Sequence, residues 1–266
     1  MAAARRVASC ARRAAFGVAF LVAAGHVAAA GAWREAFESN QLDAQRWQRT
    51  HDGDFRTHGA EIVPGDSGYR LRLAADTRGT RDDTLKHVGV VSRCPLPIGT
   101  DTRLRVRIDW GPPANGSYLA GAVVLSPHAT SGDPAKTSDY LSIGYVGVPP
   151  GRNARLLVRA RVHGEVRTLF ADGWPDANRA GRHVGQSQLE VAWRAAELEV
   201  RENGRVVYVG RAAEAPFAAA YVYLQMTSHS NYADRAIHFD EVLVMEGNDM
   251  TAFRPLPAAP GCEVPR

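Results

Sequence analysis

Several residue types that carry common chemistries are scarce in this chain. Its 266 residues include three cysteines, and lysine occurs only at Lys86 and Lys136 although arginine is plentiful. The eight histidines beyond the N-terminal segment (His51, His58, His87, His128, His163, His183, His229 and His238) are scattered with no ligand spacing, which argues against a zinc site. The sole long apolar run, Ala14–Ala24, falls short of the roughly 20 residues that span a bilayer. No later stretch has the 3.6-residue period of a useful amphipathic helix; the Ala-rich Arg211–Ala220 is the weak candidate. Without crossover helices a parallel sheet is excluded, so the strands must pair antiparallel. Internal repeats and low-complexity tracts are also missing.

The N-terminus reads as an export signal. Arg5, Arg6, Arg12 and Arg13 precede the apolar run, and Ala30-Gly31-Ala32 is an A-x-A cleavage site before Trp33. Residues 1–32 are therefore expected to be removed, leaving a periplasmic or secreted chain with no transmembrane segment. Cys10 precedes the apolar run, so it is not a lipid-bearing cysteine. The net charge of +4 belongs to this segment: without its four arginines the 32 basic residues fall to the number of acidic ones, 28. A neutral mature chain gives no reason to expect nucleic acid as a partner. Cys94 and Cys262 remain, an even count in an oxidising compartment. A Cys94–Cys262 disulfide would pin the Pro-rich tail, 251–266, to the body; two unbridged thiols are the alternative, since a bridge requires Cα atoms within about 4.4–6.8 Å. Residues 33–250 are enough for one large β domain.

Strand signals fill that domain. Leu104, Val106, Ile108 and Trp110 alternate with Arg103, Arg105, Arg107 and Asp109; Leu156, Val158 and Val162 alternate with Arg155, Arg159 and Arg161. Tyr69, Leu71 and Leu73 are expected inward, with Arg70 and Arg72 outward. Further strands are expected near Glu61–Val63, His87–Arg93, Tyr118–Leu125, Asp139–Val148, Val166–Phe170, Ala218–Thr227 and Ala236–Met245. Gln186–Gly210 reads as two strands joined at Asn203-Gly204, a pair that tolerates the positive φ of a type I′ turn. A two-residue turn sets Arg201 opposite Val206, Val200 opposite Val207, Glu199 opposite Tyr208 and Leu198 opposite Val209. About a dozen such strands predict two packed antiparallel sheets.

Short motifs have ordinary readings beside their chemical ones. Gly65-Asp66-Ser67-Gly68 mimics a serine-nucleophile motif but lacks its context and reads as a turn. Asn115-Gly116-Ser117 is formally a glycosylation sequon and also a strand-to-strand turn.

Three pieces together resemble the concanavalin A-like lectin/glucanase superfamily, which includes the laminin-G-like domains: the opening AFESNQLDAQRW, the hairpin LEVAWRAAELEVRENGRVVY and the closing strand IHFDEVLV. The resemblance implies an all-β, two-sheet antiparallel jelly-roll sandwich whose first and last strands lie side by side. The superfamily hosts many activities. Its laminarinase-type glucanases carry Glu-x-Asp-x-Glu on one strand, which places two carboxylates on one face at the roughly 5–5.5 Å that retaining hydrolysis needs. This chain has no such triplet; Leu189–Trp193 offers Glu190 alone. Alginate-lyase relatives use Arg, Gln, His and Tyr; Tyr140–Tyr145 resembles their tyrosine strand, but the matching Gln-x-His and Arg-rich pieces are missing. The resemblance also implies a structural Ca²⁺ where the first and last strands meet, with Asp240 and Glu35 or Glu38 as hard oxygen donors. Asp240 capping a turn or pairing with an arginine is the alternative.

The expected function is binding of a polysaccharide or glycoconjugate in the concave groove, without catalysis. Arg107, Asp109, Arg159 and Arg161 are candidates for contact with an acidic sugar; cross-strand pairing with Glu197, Glu199 and Asp109 is the competing reading of the arginine faces. Trp174, in a loop of Gly, Pro, Asp and Asn, is a candidate stacking platform or a loop anchor. Tyr140, His163 and His229 complete the set. A hydrolase or lyase with Tyr140 or His163 as base and Arg159 neutralising a uronate is the first alternative, and an envelope interaction domain the second.

Overall fold

Where apolar and polar residues alternate, the computed structural model has strands. The structure describes residues 32–66, 68–81, 84–109, 119–147, 155–172, 186–229 and 231–246. In chain order the strands are β1 (Ala32–Glu35), β2 (Trp47–Asp52), β3 (Thr57–Gly65), β4 (Gly68–Asp76), β5 (Lys86–Ser92), β6 (Leu96–Pro97), β7 (Thr102–Asp109) and β8 (Leu119–Ser126). After a single-turn helix α1 (Pro134–Thr137) come β9 (Tyr140–Gly147), β10 (Arg155–Val162), β11 (Glu165–Ala171), β12 (Gln186–Arg194), β13 (Glu197–Glu202), β14 (Arg205–Arg211), β15 (Ala219–Ser228) and β16 (Arg235–Glu246). The Ala-rich Arg211–Ala220 forms one 3₁₀ turn, Ala212–Glu214, before β15 begins.

Two antiparallel sheets of eight strands result. The first runs β14-β13-β12-β7-β16-β4-β3 with β1 also on β16; the second runs β11-β10-β9-β8-β15-β5-β2 with β6 on β15. This is the two-sheet antiparallel jelly-roll sandwich that the sequence resemblance implied. Its opening and closing strands do pair, Trp33 facing Val244 and Arg34 facing Leu243. Phe37 and Phe239 are buried in one core with Leu71, Ile108, Leu156 and Val222. Buried hydrogen bonds link the two sheets, from the Tyr145 hydroxyl on β9 to Glu202 Oε1 on β13 at 2.7 Å and from Trp47 Nε1 on β2 to Glu35 Oε2 on β1 at 3.0 Å.

The hairpin reading needs two corrections. Gln186–Gly210 contains three strands, because Ala195-Ala196 makes a second two-residue turn between Arg194 and Glu197. Ala195 adopts φ of +47°, which alanine rarely does, so its sequence carried no turn signal. At Asn203-Gly204 the turn forms as expected, with φ of +49° and +80°, and Arg201 faces Val206. A β-bulge then shifts the register: Val200 faces Tyr208, Glu199 faces Val209 and Leu198 faces Gly210. The extra residue keeps Val200 and Leu198 in the core while turning Val209 to solvent, where it is 53% exposed.

Candidate functional site

The second sheet has an open groove on its outer face, with a cavity volume of about 440 Å³. Its depth follows from side-chain size. Across the sheet, Gly89 on β5, Gln225 on β15, Ala122 on β8, Gly144 on β9 and Leu157 on β10 lie in one row. Small residues at the centre of that row leave room that larger ones would fill. Gly144 is required by close approach: a Cβ there would lie 2.2 Å from the Gly121 carbonyl oxygen and 2.5 Å from Ala122 Cα. Tyr140 and Arg159 line one side of the groove, His87 and Asp133 the other.

A hydrogen-bonded network holds the His87 side. His87 Nε2 lies 3.2 Å from Asp133 Oδ2, while Nδ1 lies 2.9 Å from both Gln225 Nε2 and Thr227 Oγ1. Gln225 Nε2 also donates to Asp133 Oδ1 at 3.1 Å. Asp133 caps α1 by accepting from Ala135 N at 3.0 Å, and Pro134 follows it at the first helical position. Burial pushes the His87 pKa down, with the Asp133 charge acting against that. A neutral imidazole that donates from Nε2 and accepts at Nδ1 satisfies every partner. The Asp133 amide donates to Asp52 Oδ2 at 3.4 Å, and Lys136 Nζ lies 2.8 Å from the same oxygen. Burial raises the Asp52 pKa, but these contacts outweigh it and hold the carboxyl below its ordinary range. A general acid needs the opposite shift. The Tyr223 hydroxyl accepts from Thr130 N at 2.7 Å and donates to the His128 carbonyl at 3.0 Å, which fastens the loop before α1 to the sheet.

On the other side, β10 turns Arg155, Leu157, Arg159 and Arg161 outward, with Arg159 facing Ser142 and Arg161 facing Tyr140. Arg155 Nε donates to the Asp172 carbonyl at 2.6 Å, and Arg161 donates to the Ala135 carbonyl at 3.0 Å. Burial raises the Tyr140 pKa, so its hydroxyl stays protonated at neutral pH.

The structure separates the sequence candidates. Tyr140 and Arg159 come together at the groove, and Arg161, opposite Tyr140, reaches the carbonyl of the lining residue Ala135. Arg107 and Asp109 do not join them: β7 belongs to the first sheet, whose outer face points away. There Arg107 pairs with Asp240 at 3.5 Å and Asp109 with Arg70 at 2.9 Å. His163, at φ of +52°, occupies the β10–β11 turn, where its amide donates to Asp139 Oδ2 at 2.9 Å; it borders a separate cavity of about 370 Å³ with Arg167 and Glu214. His229 follows β15, and its carbonyl accepts from Thr77 Oγ1 at 2.6 Å. Trp174 and Cys262, and with Cys262 the proposed Cys94 bridge, lie outside the described residues.

Glu35 and Asp240, expected near calcium, already have partners. Glu35 accepts from Phe37 N at 2.8 Å and from Trp47 Nε1 at 3.0 Å, with Arg46 at 3.6 Å. A bulge in β16 between Phe239 and Val242 lets successive Asp240 and Glu241 both reach outer arginines, Glu241 meeting Arg34 at 3.2 Å and Arg105 at 3.4 Å. Among the described residues no three His, Cys, Asp or Glu side chains converge as a metal site. This donor set does not fit a Ca²⁺ ion.

Composition and spacing passed over His87, Asp133, Gln225 and Thr227. Two signals were present: Gln225 and Thr227 are polar at alternate positions of an otherwise apolar strand, and Asp133-Pro134 is a helix-start dipeptide.

No protein-family model and no curated protein matches the chain. Solved structures do. A GlcNAcα1-4Gal-releasing endo-β-galactosidase from Clostridium perfringens superposes with a TM-score of 0.55 at 10% identity, over 81% of this chain and 62% of that one. A Bacillus licheniformis β-glucanase gives 0.53 at 10% identity, covering 80% and 97%. A laminarinase from Flavobacterium sp. UMI-01 gives 0.55 at 12% identity, covering 80% and 99%. The fold is the concanavalin A-like jelly roll. This chain spans about three-fifths of the first of these proteins and nearly the whole of the other two. At such identities the likeness extends to the jelly roll alone.

Proposed function

We propose that the groove of the second sheet binds a polysaccharide or glycoconjugate without cleaving it. The observation that carries this reading is the groove itself: an open trough with a floor of glycine and alanine, edged by Tyr140, Ser142, Gln225 and Thr227. An apolar floor with a few placed polar groups suits a sugar ring, which presents both apolar faces and hydroxyls. The structural neighbours named as glucanase, laminarinase and endo-β-galactosidase lend support by analogy.

The chemistry of the groove favours binding over turnover. Among the described residues that line it, Asp133 is the sole carboxylate, and both its oxygens are engaged by Ala135, Gln225 and His87. Retaining hydrolysis needs a pair. Tyr140 is a weak candidate for a base because burial raises its pKa. Export with cleavage before Trp33, and a Cys94–Cys262 disulfide, belong to the same reading, which intact-mass measurement with and without reductant tests.

Calorimetry with neutral and uronic-acid oligosaccharides, in Ca²⁺ and in chelator, tests binding. Saturable heat supports the reading, and no heat with any glycan ends it. Release of reducing sugar or of unsaturated ends in the same mixtures would replace it with the hydrolase or lyase alternative.

A further inference from the structure

We propose that the bound glycan carries an oxyanion substituent, a uronate carboxylate or a sulfate ester, and that Arg159 receives it. The inference rests on the glycan reading of the groove and adds the class of sugar.

The contrast among the outward arginines of β10 carries it. Arg155 and Arg161 are each spent on a backbone carbonyl. Arg159, between them, is exposed and lines the groove, and among the described residues it has no ion pair and no hydrogen bond. The neighbouring strands explain why. The residues opposite Arg159 are Ser142 on β9 and Thr168 on β11, both hydroxyls. On the first sheet the arginines of β7 meet acids instead: Arg103 meets Glu190, Arg105 meets Glu241 and Arg107 meets Asp240.

The surroundings of Arg159 are donors. Tyr140 lies diagonally across on β9 and feels the Arg159 charge, and its phenol remains protonated. A guanidinium with Ser, Thr and Tyr hydroxyls around it and no adjacent carboxylate complements an oxyanion, which takes two parallel N–H donors from arginine's planar fork. The remaining cation at the groove, Lys136, is paired with Asp52. Among the described lining residues Asp133 is the one carboxylate; Tyr140 feels its charge too, but both Asp133 oxygens are engaged by His87, Gln225 and the Ala135 amide. Charge in the groove is therefore polarised, with its open positive position at Arg159.

The test is calorimetry of the purified full-length chain against three probes: oligogalacturonate, a sulfated galactan oligosaccharide and a neutral mixed-linkage β-glucan oligosaccharide. Arg159→Gln, Arg159→Lys and the distant exposed control Arg205→Gln are measured beside the parent chain. Matching melting temperatures establish that the exposed substitutions leave the fold in place. The expected result is tighter binding of one charged probe than of the neutral one, and which probe it is identifies carboxylate or sulfate. That binding should weaken at least tenfold in Arg159→Gln, less in Arg159→Lys and not at all in Arg205→Gln. Equal affinity for neutral and charged probes, or an Arg159→Gln chain that binds like the parent, overturns the inference while the groove reading stands. A chain that binds none of the three fails at the earlier step, and the inference falls with it.

Discussion

The two outer faces of this sandwich are built from similar alternating strands and have opposite characters. On the first sheet, acids on β3, β7, β12, β16 and the loop before β16 neutralise the arginines of β4 and β7. Arg70 meets Asp109, Arg72 meets Glu61 and Asp234, and Arg103, Arg105 and Arg107 each meet a carboxylate. That face is ion-paired, and Leu243 and Met245 lie buried within it. On the second sheet the facing positions hold glycine, alanine, serine and glutamine, and the face opens into a groove. An outward arginine stripe is therefore not by itself a ligand signal. Whether it is satisfied depends on what the neighbouring strands place opposite it, which a single strand's sequence does not reveal.

That comparison can be broken from either side. The largest effect is expected at the groove floor: Gly144→Val drives a side chain against backbone atoms of β8, which cannot give way cheaply. It should cost about 3 kcal/mol, read as a lower urea midpoint. Equal stability would mean that the floor is not tightly packed. A smaller effect is expected from pH. The His87 pKa is lowered, so the unfolded chain takes up that proton first. Stability from neutral His87 is full above about pH 6.5 and falls as the pH drops below it. His87→Gln should flatten the decline in urea midpoint between about pH 7 and pH 5. Some slope will persist because burial also lowers His58 and His238. An unchanged slope would contradict a buried neutral His87. The smallest effect is expected on the paired face. Arg107→Gln breaks an ion pair whose arginine side chain is 44% exposed, so it should cost no more than ~0.5 kcal/mol and leave glycan affinity unchanged.

Much of the fold was legible because period-two alternation is a local signal. Leu104, Val106 and Ile108, and Leu156 and Val158, are buried as their spacing requires. What stayed hidden was non-local or came from residues without turn character. The Ala195-Ala196 turn and the bulge beyond Arg201 changed the hairpin because tertiary packing overrode local preference. The site was half legible. Tyr140 was picked out through the likeness of Tyr140–Tyr145 to a tyrosine-bearing strand, and Arg159 and Arg161 as outward arginines of an alternating strand. Arg107 and Asp109 matched that pattern equally well, and only sheet order places β7 and β10 on opposite layers. His87 and Asp133 are 46 positions apart in sequence and meet only when the loop before α1 folds over β5.

Placing the ligand on one face tests the account most directly. Ala122→Trp fills the groove from its solvent-facing floor, and Gln188→Trp adds the same bulk to the outer face of the first sheet. Calorimetry with the best-bound oligosaccharide should show binding lost in Ala122→Trp and retained in Gln188→Trp. Binding that survives in the first and disappears in the second would contradict it.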